Sequence, residues 1–137
     1  MAFHPYLMFG GNCREAFDRY KEIFGGELFM ISFKDMPSDE QVPAEFADLV
    51  AHAAITLGDG VLMGSDDPTA DSVGAVQGMQ VNYAVDDASE AQRAFEELSD
   101  GGKINMPIAE TSWSPMFGMC VDRFGIPWMV STNSTQG

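Results

Sequence analysis

The sequence predicts an α+β fold built from two tandem βαβββ modules within one domain, residues 1–137. Three observations carry that prediction. A short apolar strand pattern is twice followed by a capped, amphipathic helical pattern. Each helix ends at a glycine pair, and each is followed by three further apolar runs with turn residues between them. The two series also align with each other in order, as a duplicated unit would.

Phe3 to Phe9 is rich in aromatic and aliphatic residues and stops at Gly10-Gly11, which suits a buried strand and a turn. Asn12 then stands as an N-cap with Glu15 three residues on, the spacing of a capping box. Cys13, Ala16, Phe17, Tyr20, Ile23 and Phe24 recur at helical spacing and form one apolar stripe, and Gly25-Gly26 closes the helix. Glu27 to Lys34 reads as a strand. Asp35 to Asp48 carries Pro37, Pro43 and five carboxylates in fourteen residues, and so reads as a loop. Val50 to Leu57 and Val61 to Ser65 flank Gly58-Asp59-Gly60 and read as a hairpin.

Asp66 to Ala75, with Pro68 and Gly74, is the expected boundary between module one, about 1–66, and module two, about 76–134. The second module runs as strand Gly78 to Val85, helix Asp87 to Asp100 and strand Lys103 to Glu110. Strands Trp113 to Val121 and Ile126 to Thr132 follow, around Asp122-Arg123-Phe124-Gly125. Asn12, Glu15, Ala16, Tyr20, Glu22 and Ile23 align at a constant offset of 75 with Asp87, Glu90, Ala91, Phe95, Glu97 and Leu98. Gly25-Gly26 matches Gly101-Gly102, and the hairpin ending in Leu62-Met63 matches the one ending in Trp128-Met129.

Composition narrows the function classes. Seven Lys and Arg against 21 Asp and Glu give a formal charge of −14, a field that repels nucleic-acid backbones and anionic lipid surfaces. Neither nucleic acid nor membrane is therefore an expected partner. No run of apolar residues is long enough to span a bilayer, and the first residues lack the charged and apolar regions of a signal peptide. The two cysteines, Cys13 and Cys120, form no metal or redox motif and read as reduced thiols of a cytoplasmic protein.

Three segments together resemble a known family: PYLMFGGNCREAFDRYKEIFGGEL from Pro5, HAAITLGDGVLMGSD from His52, and GGKINMPIAETSWSPMFGMCVDRFGIPWMVS from Gly101. They look like the PhnB-like branch of the vicinal oxygen chelate superfamily, which includes glyoxalase I, fosfomycin and bleomycin resistance proteins and extradiol dioxygenases. The resemblance implies modules that curl into a cup-shaped mixed sheet with helices outside, and a homodimer around a small-molecule site.

Metal-using members of the superfamily place a His on the first strand and a Glu on the last strand of a module. Against the usual HxxFxVDD, Gln80 stands at the His position of the segment ending in Asp86-Asp87; against DPDGNxxE, Met129 stands at the Glu position of the segment opening at Asp122. The first-module counterparts fall near Pro5 or Tyr6 and near Met63 or Gly64. Amides and thioethers do not suit hard divalent ions, so no cofactor is expected; a divalent metal would need replacement ligands, such as His52, Glu110 or the acidic loop. The branch also carries a ubiquinone-pathway methyltransferase label. That reading is disfavoured, because the chain lacks the glycine-rich strand-to-helix turn of a nucleoside site, and Gly10-Gly11-Asn12 is explained by a plain turn.

Strand alternation assigns faces. In Gly78 to Val85 the set Met79, Val81, Tyr83 and Val85 should meet the helix, leaving Gln80, Asn82 and Ala84 for the cup. In Val50 to Leu57 the set Ala51, Ala53, Ile55 and Leu57 should be covered, leaving Val50, His52, Ala54 and Thr56 inward. His52, Gln80 and Asn82 are the polar cavity candidates, with Trp113 and Met129 as candidate apolar wall. The plain alternatives are a core or rim histidine satisfied by a backbone carbonyl and ordinary strand core beside Phe117, Met119 and Trp128. His4 should be exposed, Asp66, Asp67 and Glu110 should be solvated carboxylates, and both thiols should be structural. The function expected is a small-molecule-binding cup of unknown ligand without the usual metal triad, its acidic field favouring cationic ligands. The alternatives are a metal-dependent glyoxalase-, dioxygenase- or thiol-transferase-type enzyme and a dimeric scaffold with a filled cup.

Overall fold

The computed structural model describes residues 2–36, 43–67, 76–112 and 116–132 and divides into two compact units, Met1–Gly74 and Ala75–Gly137. The first contains β1 (Tyr6–Phe9), α1 (Cys13–Phe24), β2 (Glu27–Ser32), β3 (Val50–Leu57) and β4 (Gly60–Asp66). The second contains β5 (Val81–Val85), α2 (Ala88–Ser99), β6 (Lys103–Ala109), β7 (Phe117–Val121) and β8 (Pro127–Thr132). Each unit is βαβββ, and the helices keep the offset of 75 read from the sequence at both ends.

The sheet orders are β1-β4-β3-β2 and β5-β8-β7-β6. In each, the first and last strands of the module pair in parallel while the other pairs are antiparallel. One face of each sheet packs on its helix. Phe9, Phe17, Tyr20, Ile23, Ala53 and Ile55 form the first core, with Phe17 edge-on to both Phe9 and Tyr20. Ala91, Phe95, Leu98, Trp128 and Val130 form the second. Each large side chain so buried contributes roughly 1.5–3 kcal/mol of transfer free energy, which is why these short helices hold.

Several strands begin later than the sequence suggests. β1 opens at Tyr6 rather than Phe3, because its ladder with β4 starts at Tyr6↔Met63 and Pro5 has no N–H to extend it. β5 opens at Val81 rather than Gly78, since Gly78 takes a φ of 80°, outside the extended region. Met79, expected under α2, therefore precedes the ladder and is 61% exposed. β2 stops at Ser32 and passes into a 3-10 turn, Phe33–Asp35; a second such turn, Ala44–Phe46, lies in the segment read as a loop.

Two further expectations fail on β3. Ile31 pairs with His52 but Ser32 pairs with Val50, so Ala51 is an extra residue that flips the alternation. Val50, expected inward, is fully buried instead. Leu57, expected to be covered, is the last residue of its strand and is exposed where the hairpin turns.

The N-cap of α1 is not the one expected. Asn12 makes no side-chain capping bond. The carboxylate of Asp66, at the end of β4, takes that place: Oδ1 accepts the N–H groups of Gly11 at 2.9 Å and Cys13 at 3.0 Å, and Oδ2 accepts that of Val50 at 2.9 Å. Asp66 is thus buried, not solvated. In α2 the expected cap holds, with Asp87 accepting from Ser89 N–H at 2.9 Å. Asp122 is a second structural carboxylate, taking Phe124 and Ile126 N–H at 2.9 Å on Oδ1 and the Trp128 indole N–H at 2.8 Å on Oδ2.

Both thiols are free and buried against the helix–sheet cores. Burial, with the Asp66 charge adding, pushes Cys13 up to about 12; burial, with Asp122 adding, pushes Cys120 up to about 11. Because the folded values lie above the ordinary thiol value of 9.0, folding favours the protonated thiols. The stability they support is complete below pH ~9 and falls as pH rises towards 11–12. Urea midpoints should decline across that window, and less steeply in a Cys13→Ala/Cys120→Ala variant. A thiol reagent at pH 8 should find both cysteines only after unfolding; rapid stoichiometric labelling of the folded protein would contradict this.

Candidate functional site

With α1 covering one face of the first sheet, strand alternation leaves Tyr6 and Met8 of β1, Phe29 of β2 and His52 of β3 on the other. The register places them together. Tyr6 lies opposite Met63, Met63 opposite Ala54 and Ala54 opposite Phe29, so one row runs across all four strands. His52 sits two residues along β3 from Ala54. Its ring stacks with Tyr6 at a centroid distance of 5.7 Å and an interplanar angle of 26°, and it meets Phe29 at 6.4 Å and 50°. The Tyr6 hydroxyl and His52 Nδ1 are hydrogen-bonded at 3.2 Å. That bond engages Nδ1 and leaves Nε2, the other ring nitrogen, for whatever meets the ring's far edge.

This is an open aromatic shelf. Tyr6 is 44% exposed, Met8 41% and Phe29 57%, and His52 is half-buried. Ser65, buried and directly opposite Met8 in the β1–β4 register, points its hydroxyl at the Met8 sulfur at 3.6 Å. The shelf can offer flat apolar contact, two thioethers and one imidazole nitrogen.

The remaining candidates belong to the second unit. Asn82 pairs directly with Met129 across β5–β8, and its Oδ1 accepts from Ser131 Oγ at 3.0 Å. Met129 in turn pairs with Met119, and Met119 with Met106, giving a row of one amide and three thioethers on the face away from α2. Gln80 is exposed just before β5, and Trp128, with its indole bonded to Asp122, is helix-face core. Tyr83 is on the helix face as expected; its hydroxyl donates to Glu90 at 3.3 Å, and burial raises its pKa. Trp113 lies outside the described residues. Glu110 is exposed beyond the end of β6, and His4 is exposed.

A further depression of about 530 Å³ opens at the start of α1, bordered by Asn12, Arg14, Glu15, Asp48 and Asp66. Its buried carboxylate is engaged through both oxygens by backbone N–H groups. Among the described residues, no three His, Cys, Asp or Glu side chains converge to hold a metal ion. At the positions where the resemblance would put ligands stand Gln80, exposed before β5, and Met129 in the second unit, and Pro5 or Tyr6 and Met63 or Gly64 in the first, where Tyr6 pairs with Met63 and Leu7 with Gly64. That donor set does not fit a hard divalent ion. Also among the described residues, no helix is long and apolar enough to cross a membrane.

Tyr6 and Phe29 were not among the residues expected to form the site. The parity of Leu7 and Phe9 in β1 signals where Tyr6 points, but its meeting with His52 depends on β1 joining the sheet beside β4.

Paired βαβββ units of this topology define the glyoxalase, bleomycin resistance and dioxygenase type of fold. The fold is shared with the fosfomycin resistance protein FosX of Listeria monocytogenes (TM-score 0.64, 11% identity, 99% and 95% of the two chains). It is shared also with a glyoxalase-related enzyme of Fulvimarina pelagi (0.60, 16%, 97% and 89%). Within that class the chain belongs to the PhnB-like family, whose model, described as 3-demethylubiquinone-9 3-methyltransferase, matches residues 1–131. It is 34% identical to protein YjdN of Escherichia coli over 145 residues, 99% of this chain and 98% of that one. It is 40% identical to protein PA1353 of Pseudomonas aeruginosa, whose crystal structure matches with a TM-score of 0.87 over 97% and 98% of the chains. A Bacillus cereus structure titled as a putative 3-demethylubiquinone-9 3-methyltransferase, PhnB protein, matches at 25% identity and TM-score 0.75, over 96% and 99%.

Proposed function

We propose that the protein binds a small molecule on the open face of its first sheet, around Tyr6, His52 and Phe29, without the metal triad usual in the superfamily. The observation that carries this reading is the hydrogen-bonded, stacked Tyr6–His52 pair standing on an exposed apolar face. A pair held by both stacking and a hydrogen bond is pre-organised, which reduces the ordering cost of taking up a ligand.

Binding is favoured over methyl transfer by the state of the Gly10-Gly11-Asn12 turn. Its Gly11 N–H and the first N–H of α1 are taken by the Asp66 carboxylate, a negative charge where a nucleotide-type turn would present free donors. A homodimer is part of the same proposal. β6 is an edge strand exposed along nearly its whole length, including Ile104 and Met106, and edges of that kind are normally paired or covered. The buried free thiols suit a reducing, cytoplasmic setting.

Native mass spectrometry of untagged protein, as purified and after separate addition of Mn, Ni, Zn and Fe salts, tests the reading. The expected result is a metal-free dimer, with any co-purified organic mass lost in His52→Ala and kept in His4→Ala. One stoichiometric metal per chain, removed by His52→Ala, would overturn it in favour of a metal-dependent enzyme.

A further inference from the structure

Charge on the first sheet is distributed one-sidedly. None of its four strands contains a Lys or Arg. Their two carboxylates are Asp66, buried under α1, and Glu27, which is exposed. Glu27 precedes Phe29 by two residues on β2 and so shares its face, opposite Thr56 at the rim of the shelf. Three of the first unit's four bases are committed elsewhere: Arg19 to Glu22, Lys34 to Asp48, and Lys21 to the carbonyl of Gly26. The fourth, Arg14, is in the first turn of α1, and α1 packs on the opposite side of the sheet. The unit as a whole has four Lys and Arg against thirteen Asp and Glu.

An anion on the shelf would meet this field with no positive side chain on the sheet to hold it. A neutral flat molecule would gain stacking and at most a hydrogen bond at the His52 ring edge, with no attraction to the charge around it. A flat or N-alkylated organic cation gains stacking, attraction to the electron-rich faces of Phe29 and Tyr6, and the Glu27 carboxylate at the rim. We infer that the shelf selects planar organic cations, with Phe29 and Glu27 setting the preference for charge and the Tyr6–His52 pair forming the platform. This rests on the binding reading above and names the ligand class for the same face.

Three probes of one frame and three charges separate the possibilities: N-methylquinolinium, quinoline and 2-quinolinecarboxylate, titrated calorimetrically at pH 7.5 in low salt and in 150 mM salt. N-methylquinolinium should bind about 5-fold more tightly than quinoline, within the range of a partly desolvated cation–π contact. The carboxylate should bind most weakly. The cation's advantage should shrink with salt and fall towards unity in Glu27→Gln, which should leave quinoline unaffected. Phe29→Leu should weaken both. Quinoline binding as well as or better than the cation would overturn the cation preference while leaving the binding reading intact. No binding by any probe, with Phe29→Lys turning a dimer into a monomer, would overturn both and assign the face to a second copy of the chain.

Discussion

Asp66→Asn should destabilise the protein by roughly 3–5 kcal/mol, because one buried carboxylate serves three backbone N–H groups from two separated segments. Hydrogen bonds to a charged acceptor contribute about 1.5–3 kcal/mol each, and the amide keeps only one acceptor oxygen. Its NH2 group must face a backbone donor whichever way it turns. Asp66→Ala should be worse still, approaching the whole stability of a marginal domain, since α1 then begins with no side-chain acceptor and Val50 N–H is buried unpaired. Urea denaturation at pH 7 gives the measurement, with the exposed Asp18→Asn as control. An Asp66→Asn midpoint that stays with the control would show that Asp66 is not the keystone of the first unit. Since the second unit has its α2 cap on Asp87 instead, the corresponding Asp87→Ala should cost only about 1 kcal/mol.

A comparable loss is expected at the second glycine of each repeated pair. A Cβ on Gly26 would run into the Thr56 carbonyl, and one on Gly102 into the Val121 carbonyl; in both cases the obstacle is backbone of the neighbouring strand. Gly26 also has a φ of 76°. Ala there combines a left-handed strain of about 1–2 kcal/mol with overpacking of about 1–3 kcal/mol, and Gly102→Ala meets the overpacking at a carbonyl that cannot swing aside. Gly25→Ala is the informative control. Its φ is 75°, but nothing lies within 4 Å of the added carbon, so only the strain should appear. The order expected in denaturation midpoints is Gly25→Ala above Gly26→Ala, with Gly102→Ala also well below the parent. Equal midpoints for Gly25→Ala and Gly26→Ala would mean that the strand approach is not tight.

The glycine pairs explain why so much of the fold was readable. Each module repeats a cap, an apolar stripe, a glycine pair and a hairpin. These are local signals, set by helical periodicity and by the conformations open to glycine, and their spacing recurs without reference to contacts far along the chain. The helices therefore fall where the stripe ends, and alternation alone puts His52 and Asn82 on the open sheet faces.

What local pattern could not supply were the features that depend on which strands become neighbours. Asn12 reads as a cap from its own surroundings, yet Asp66, 53 residues from the first helical N–H it accepts, takes the role because β4 ends beside the start of α1. Ala51 joins β3 as an unpaired extra residue, and that one insertion buries Val50 against the alternation on which its assignment rested. The meeting of Tyr6 with His52, 46 residues apart, follows from β1 entering the sheet parallel to β4, on the far side of β4 from β3. Residue type and periodicity dictate elements and faces because those interactions lie within a turn or a strand. The carboxylate cap, the bulge and the aromatic shelf arise from long-range pairing, whose register no single stretch of the chain encodes.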